Sequence, residues 1–198
     1  MAERRTDARG TWRLRRASRI RRRRGGYTLV ELMLTIGIIG ILATLAIPAL
    51  IRYQLRAKMV EAKTNIGAIR TCEESHFAEY NVYVSATPFV PVTVSTRRTQ
   101  WALLPSDPHG FNSIGFEPDG AVYFQYAVAS DGGSAYTIEA RSDLDGDDAF
   151  STWGYVNPVD GTSAGVPGPS GTCKATGTHD GKLNSLAPCD AQSGVSEY

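Results

Sequence analysis

The sequence predicts an α+β protein in which a long N-terminal helix, kinked near Pro48, packs against a small antiparallel β-sheet followed by an irregular C-terminal loop. Three patterns predict it. An uncharged run extends from Leu32 to Ile51, an amphipathic pattern continues it to Tyr80, and short alternating stretches recur between residues 122 and 156. With 198 residues, the chain has the length of one domain plus appendages.

Charge divides the chain before any element is assigned. Residues 1–26 hold eleven Arg against Glu3 and Asp7, a net of +9, whereas residues 27–198 hold 10 Lys+Arg against 18 Asp+Glu, a net of −8. The run Arg21 to Arg24 could neutralise nucleic-acid phosphates. Its place directly ahead of an apolar span fits retention on the cytoplasmic side of a membrane better, so no nucleic-acid partner is expected. The 20 residues from Leu32 to Ile51 extend about 30 Å as a helix, one bilayer core, which makes a purely cytosolic enzyme a poor reading. No Ala-x-Ala cleavage site follows the span, as an ordinary secretory signal would require. A cut is expected ahead of the span instead, at the side-chain-free pair Gly25-Gly26 before Tyr27; the plain alternative is an uncleaved anchor.

Pro48 lies inside the helical pattern, where it removes an amide donor and crowds the carbonyl of Thr44, so a kink or local opening is expected. Gly37 and Gly40 suit either local loosening or close helix packing. Glu31 stands at the start of the span, where an ionised carboxylate costs a few kcal/mol unless an interface, a helix N-terminus or a cation offsets it. Beyond Arg52, Leu55, Met59, Ala62, Ile66, Ile69 and Cys72 recur at three- and four-residue steps, with Arg52, Arg56, Lys58, Lys63 and Arg70 on the other surfaces.

The remainder, residues 81–198, needs the helix to complete its core. Strands are expected at Val122–Val128, where alternation argues for one buried face, at Ala135–Arg141, and at Phe150–Val156 after a turn at Asp145–Asp148. The stretch Tyr83–Pro108 reads as loop, residues 157–172 are too rich in Gly and Pro for a regular element, and the C-terminal end reads as loop. The expected organisation is a basic leader at 1–26, a membrane or core helix half at 27–51, an amphipathic half at 52–80, and an exported β-rich domain at 81–198.

The run Arg24-Gly25-Gly26-Tyr27-Thr28-Leu29-Val30-Glu31-Leu32-Met33 resembles the class III signal of type IV prepilins, in which Gly precedes the cut and Glu is the fifth mature residue. The resemblance continues through Gly40, Pro48 and Ala49-Leu50-Ile51 and covers roughly residues 24–80. Tyr27 departs from the Phe usual at that position, and the leader is longer than many. The resemblance implies a pilin-like fold, cleavage after Gly26 by a prepilin peptidase, N-methylation of Tyr27, and pairing of Glu31 with a neighbour's amino terminus as a homo-oligomeric filament assembles. It also implies an inner-membrane platform and its ATPase as partners, the membrane as first location, and a surface pilus afterwards. A pseudopilin of a type II secretion system, in a periplasmic pseudopilus, shares the same signal and stays open. So does an anchored binding or enzymatic domain.

Three Cys leave at least one unpaired within the chain. Many pilins close a C-terminal loop by a disulfide, which implies Cys173 with Cys189 and Cys72 as a buried thiol; pairing of Cys72 with one tail cysteine stays open. Asp143, Asp145 and Asp147 alternate as oxygen ligands suitable for Ca²⁺, but Asp148 stands where an EF-hand loop has Gly, and Gly154 where it has Glu. No cofactor is otherwise required. Cys72 and His76, one helical turn apart, are the nearest approach to a catalytic pair, and with no third member or motif they point to no enzyme.

Overall fold

The computed structural model describes residues 25–93, 95–102 and 110–193. The leader up to Arg24, and the residues of the Tyr83–Pro108 stretch from Leu103 onward, lie outside the described residues. The chain divides into two compact units, Met1–Thr44 and Leu45–Tyr198.

Helix α1 spans Leu29–Tyr80, 52 residues with Pro48 inside it. The helix runs on through Pro48, with residues 44–52 all α-helical, so the proline does not open the chain into another conformation there. In the first unit the described chain is this helix and the residues leading into it, and its apolar side chains are exposed, among them Leu32 at 53%, Met33 at 67% and Ile41 at 68%.

In the second unit the amphipathic stripe closes onto a five-stranded antiparallel meander in the order β1-β2-β3-β4-β5. The strands are β1 Ala86–Val90, β2 Gln125–Ser130, β3 Tyr136–Ser142, β4 Ser151–Asn157 and β5 Ala187–Pro188, with a short helix α2 at Phe111–Ile114. Leu55, Met59, Ala62, Ile66 and Ile69 are buried, and the next buried position on the stripe is Glu73; Cys72 is half-buried. They meet Phe124, Tyr126 and Val128 just before and on β2, Tyr136, Ile138 and Ala140 on β3, and Trp153 and Tyr155 on β4 in one apolar core. The side-chain period of two in each strand puts these residues on one face. Polar ties fix the helix on the sheet: Asn65 Nδ2 donates to the Tyr126 hydroxyl at 2.9 Å, and Glu61 Oε1 accepts the Tyr123 N–H at 2.7 Å. Lys63 and Arg70 stand over the rings of Trp153 and Tyr155, 4.5 and 4.8 Å from their centroids.

Three expectations need correction. The stretch Tyr83–Pro108 is not loop throughout, since it supplies β1, and Thr99 forms a bridge with Val122. A strand carrying Pro88 is tolerable because β1 is the sheet edge, where a missing N–H breaks no ladder on its open side. The C-terminal end is not all loop either, because Ala187 and Pro188 pair with Gly154 and Trp153. Finally, the alternation in β2 does not mark a solvent face: Gln125 and Ala127 are buried as well as Tyr126 and Val128. The same holds for Thr137 and Glu139 on β3, both fully buried.

The cover on that second face comes from the Gly- and Pro-rich segment after β4. Thr137 Oγ1 donates to the Val166 carbonyl at 2.5 Å, while the Glu139 carboxylate accepts the N–H of Ser170 at 2.7 Å and of Cys173 at 2.9 Å. Cys173 and Cys189 are joined by a disulfide. Gly154 is required beneath it, for a Cβ there would lie 2.7 Å from the Cys189 sulfur and 2.9 Å from the Ile138 carbonyl oxygen.

Burial also leaves one carboxylate strained electrostatically. Glu73 Oε2 accepts the Val84 N–H at 3.0 Å, and Oε1 is buried with no hydrogen-bond partner. Desolvation chiefly, with the neighbouring Glu74 charge, pushes its pKa from 4.5 up to about 7 against the opposing Val84 bond. A carboxyl whose folded pKa is raised binds its proton more tightly when folded, so stability grows as pH falls from about 7 towards 4.5. We expect Glu73→Gln to stabilise the chain by roughly 1–2 kcal/mol at pH 8 and by almost nothing at pH 5. Thermal melts of both proteins across that range test it; a parallel pH dependence would refute the assignment.

Candidate processing and assembly site

The segment expected to be cut and to drive assembly begins outside regular structure. Residues 25–28 precede α1 and are exposed, and a Cβ added at Gly25 or Gly26 would find nothing within 4 Å. Nothing in the described chain demands glycine at either position. The same open space surrounds Gly37 and Gly40 on the helix.

Helix α1 starts with a reciprocal cap. Thr28 Oγ1 accepts the Glu31 N–H at 3.2 Å, and Glu31 Oε2 accepts from the Thr28 N–H and hydroxyl, both at 3.4 Å. This Thr-x-x-Glu capping box satisfies amide donors that the first turn leaves open, and it sets a negative charge against the positive end of the helix dipole. Glu31 thus has a local role that the sequence reading did not assign, although the Thr28-Leu29-Val30-Glu31 pattern signals it. Its carboxylate stays exposed, so the cap leaves it open to a cation from outside the chain. Tyr27 is 82% exposed just ahead of the cap. From Leu29 to Ile51 the helix is long and apolar enough to cross a membrane, and none of its most apolar window is buried.

The other predicted residues fall elsewhere. Cys173 and Cys189 lie together against the outer face of the sheet, and Cys72 is a free thiol on α1 whose pKa burial pushes up. The Cys72–His76 pair shows no catalytic arrangement: His76 Nδ1 is 3.0 Å from the Val82 carbonyl oxygen, and its ring lies against Tyr80. Asp143, Asp145 and Asp147 occupy the connection between β3 and β4 and bring one oxygen each to within 4.8 Å of one another. Asp143 accepts the N–H groups of Gly146 and Asp148 with its two oxygens, at 2.7 and 3.2 Å, which is how such a turn is held by its own side chain. Burial and then the Asp147 charge push the Asp145 carboxyl up. Calcium at this loop is an expectation of the ligand pattern alone.

Glu139 and Gly154 were missed as functional residues of the C-terminal loop. Their signals are faint in a linear reading: an acid in an alternating strand looks solvent-facing, and a single Gly in a strand only hints that something approaches closely.

Comparison with known proteins places the N-terminal segment first. Residues 21–47 match the family model described as the prokaryotic N-terminal methylation motif. The chain is 46% identical over 79 residues to the type IV major pilin protein PilA of Myxococcus xanthus, a match covering 38% of this chain and 36% of that protein. It is 31% identical over 110 residues to a fimbrial protein of Pseudomonas aeruginosa, covering 56% of this chain and 71% of the relative. A type IV major fimbrial protein, FimA of Dichelobacter nodosus, is 42% identical over 50 residues, covering 25% of this chain and 32% of that one. The chain therefore spans about a third of the length of the myxococcal and Dichelobacter relatives and more than two thirds of the Pseudomonas one. No solved structure matches it. An N-terminal methylation motif, a capped and uncovered apolar helix, an antiparallel sheet packed on the helix's second half, and relatives named as pilins and fimbrial proteins agree with one another: the chain belongs to the type IV pilin family.

Proposed function

We propose that the chain is a polymerising structural subunit, made as a membrane-held precursor with residues 1–24 in the cytoplasm. A prepilin peptidase cuts between Gly26 and Tyr27, and the new amino terminus is N-methylated. The inner-membrane platform and its ATPase then move the subunit into a surface filament, where the Glu31 carboxylate pairs with the amino terminus of a neighbouring copy. The chain's activity is assembly, with no catalytic step of its own.

The observation that carries this reading is the apolar surface of residues 29–51, exposed at every large apolar side chain while the rest of α1 buries its apolar stripe. Large contiguous apolar surface has to be covered by something outside the monomer. A bilayer covers it before assembly, and packed copies of the same helix cover it afterwards, because each removes it from water. Gly25 and Gly26 in open space support cleavage at an extended, unhindered site.

Mass spectrometry of the amino terminus tests this, on protein from the native membranes and from sheared surface material. N-methylated Tyr27 in sheared fibres is the expected result. The same terminus confined to membranes would point to a pseudopilus, and retention of residues 1–26 would sink the mechanism. Glu31→Gln separates the two roles of that residue, since Gln still closes a capping box but carries no charge. We expect normal cleavage and membrane insertion in this variant with loss of nearly all sheared filament; wild-type filament yield would remove Glu31 from the assembly step.

A further inference from the structure

The run of apolar residues on α1 ends at Ile51, and the surface next to it is basic. Arg52, Arg56 and Lys58 follow within seven residues, with no acid before Glu61. Of these, Lys58 is the one that turns towards a cleft shared with the exported domain. That cleft, of about 370 Å³, opens beside the helix, lined by Gln54, Ala57, Lys58, Glu61, Arg98 and Tyr123. Lys58 Nζ and the Arg98 guanidinium both lie by the Tyr123 ring, 5.0 and 5.1 Å from its centroid, so two cations from distant parts of the chain converge on one aromatic floor.

Glu61 is the cleft's acid: Oε1 accepts the Tyr123 N–H at 2.7 Å, burial pushes its carboxyl pKa up, and that bond and the Arg98 charge oppose the shift, so one acid faces the two cations. Lys58 makes a 3.4 Å contact with the Thr96 carbonyl and has no acidic partner among the described ion pairs. The cleft therefore offers net positive charge.

Its depth along the helix selects the ligand. At 1.5 Å per residue, Gln54 lies about 4.5 Å and Lys58 about 10 Å beyond Ile51. The polar headgroup layer adds roughly 5–7 Å to each side of the hydrocarbon core. The near end of the cleft, at Gln54, therefore falls within that layer, and the far end, at Lys58, lies just beyond it. We propose that this cleft binds the phosphodiester of an anionic lipid headgroup, clamped between Lys58 and Arg98 over Tyr123, while the chain is anchored in the membrane. The proposal rests on the membrane-held precursor described above. It assigns the cleft to the anchored state, in which the lipid steadies the exported domain at the bilayer surface.

The test uses the full chain reconstituted in phosphatidylcholine vesicles and in three-to-one phosphatidylcholine and phosphatidylglycerol vesicles. Accessible amines are acetylated with a water-soluble reagent and quantified by peptide mass spectrometry. The Arg-rich leader contains no Lys, so it does not confuse the readout. With phosphatidylglycerol, Lys58 acetylation should fall about tenfold relative to phosphatidylcholine alone. Lys174 and Lys182, in the C-terminal segment, should be unchanged, and Arg98→Gln should abolish the protection.

Equal labelling of Lys58 in the two vesicles would overturn the proposal. Protection by inorganic phosphate in detergent, with no further effect of phosphatidylglycerol, would assign the site to free phosphate and overturn the lipid. Concentration-dependent protection in lipid-free detergent would assign it to an acidic surface of a second copy. Flotation with phosphatidylcholine vesicles, measured in parallel, reports the anchor itself. A chain that does not float there defeats the membrane reading and the lipid site with it, whereas a chain that floats without protection of Lys58 defeats the lipid site only.

Discussion

Gly154→Ala should lower the stability of the sheet-bearing unit by about 4–6 kcal/mol, much of the marginal stability such a domain has. The new Cβ would fall against the paired sulfurs of Cys173 and Cys189 and 2.9 Å from the Ile138 carbonyl oxygen. Neither neighbour is the yielding end of a flexible side chain. Accommodation requires either a shift of β3 against β4 or displacement of the disulfide from the sheet. Overpacking alone costs about 1–3 kcal/mol, and failure to close the bridge adds about 3 kcal/mol for a loop of this length. Denaturant melts of the oxidised variant, together with thiol counting, check it. A variant that forms the disulfide quantitatively and melts within about 1 kcal/mol of wild type would show that β4 can move aside.

The second large effect is expected at Glu139→Ala, at about 3 kcal/mol or more. Both oxygens of this fully buried carboxylate are used: Oε2 accepts the Ser170 N–H, and Oε1 the Cys173 N–H. Truncation leaves the buried Cys173 amide and the part-buried Ser170 amide without their acceptor and a void on the outer face of β3, and the first and last of these are each costly. Glu139→Gln keeps one acceptor oxygen and places an NH₂ against an N–H, so its loss should lie between wild type and Ala. Hydrogen exchange at the Ser170 and Cys173 amides gives the local readout, with protection in wild type and fast exchange in the Ala variant. Slow exchange in Glu139→Ala would mean other acceptors hold the segment. The Glu139 and Gly154 variants share Cys173 as a neighbour, so their effects should not add.

The helical half of the fold was legible because its signal is periodic. Leu55, Met59, Ala62, Ile66 and Ile69 keep a 3.6-residue spacing that only a helix aligns, and all are buried. The same spacing misled at the end of the stripe. Hydrophobicity favours Cys72 for the next buried position, but geometry gives it to Glu73, four residues after Ile69, and the ionisable group pays in a raised pKa. Strands β2, β3 and β4 were legible from alternation to within a few residues. β1 was not, because Pro88 and Pro91 read as breakers without knowledge that this strand would lie at an edge. β5 was invisible, since two residues paired to Trp153 and Gly154 carry no pattern of their own.

At the candidate site, the Gly25-Gly26-Tyr27 and Glu31 arrangement was legible as a motif because its residues are contiguous in the chain, and residues 21–47 match the N-terminal methylation motif. Of the offsets open to Glu31, the helix N-terminus is the one the structure shows, through the cap with Thr28 three residues earlier. What escaped altogether was the second cover of the sheet, for Thr137 and Glu139 are polar at the positions a solvent face would hold. Their burial depends on backbone amides some thirty residues further on, and a backbone amide has no sequence signature.

That dependence on backbone gives the outer cover an unusual licence. The segment after β4 is fastened by the main-chain groups of Val166, Ser170 and Cys173, by one sulfur bridge, and further on by Leu183, Asn184 and Leu186, while side chains such as those of Ser163 and Lys174 are exposed. Its outward lettering can therefore be rewritten while its attachment stays the same, as a sign is repainted on fixed brackets. A subunit repeated along a polymer would display every such revision many times over.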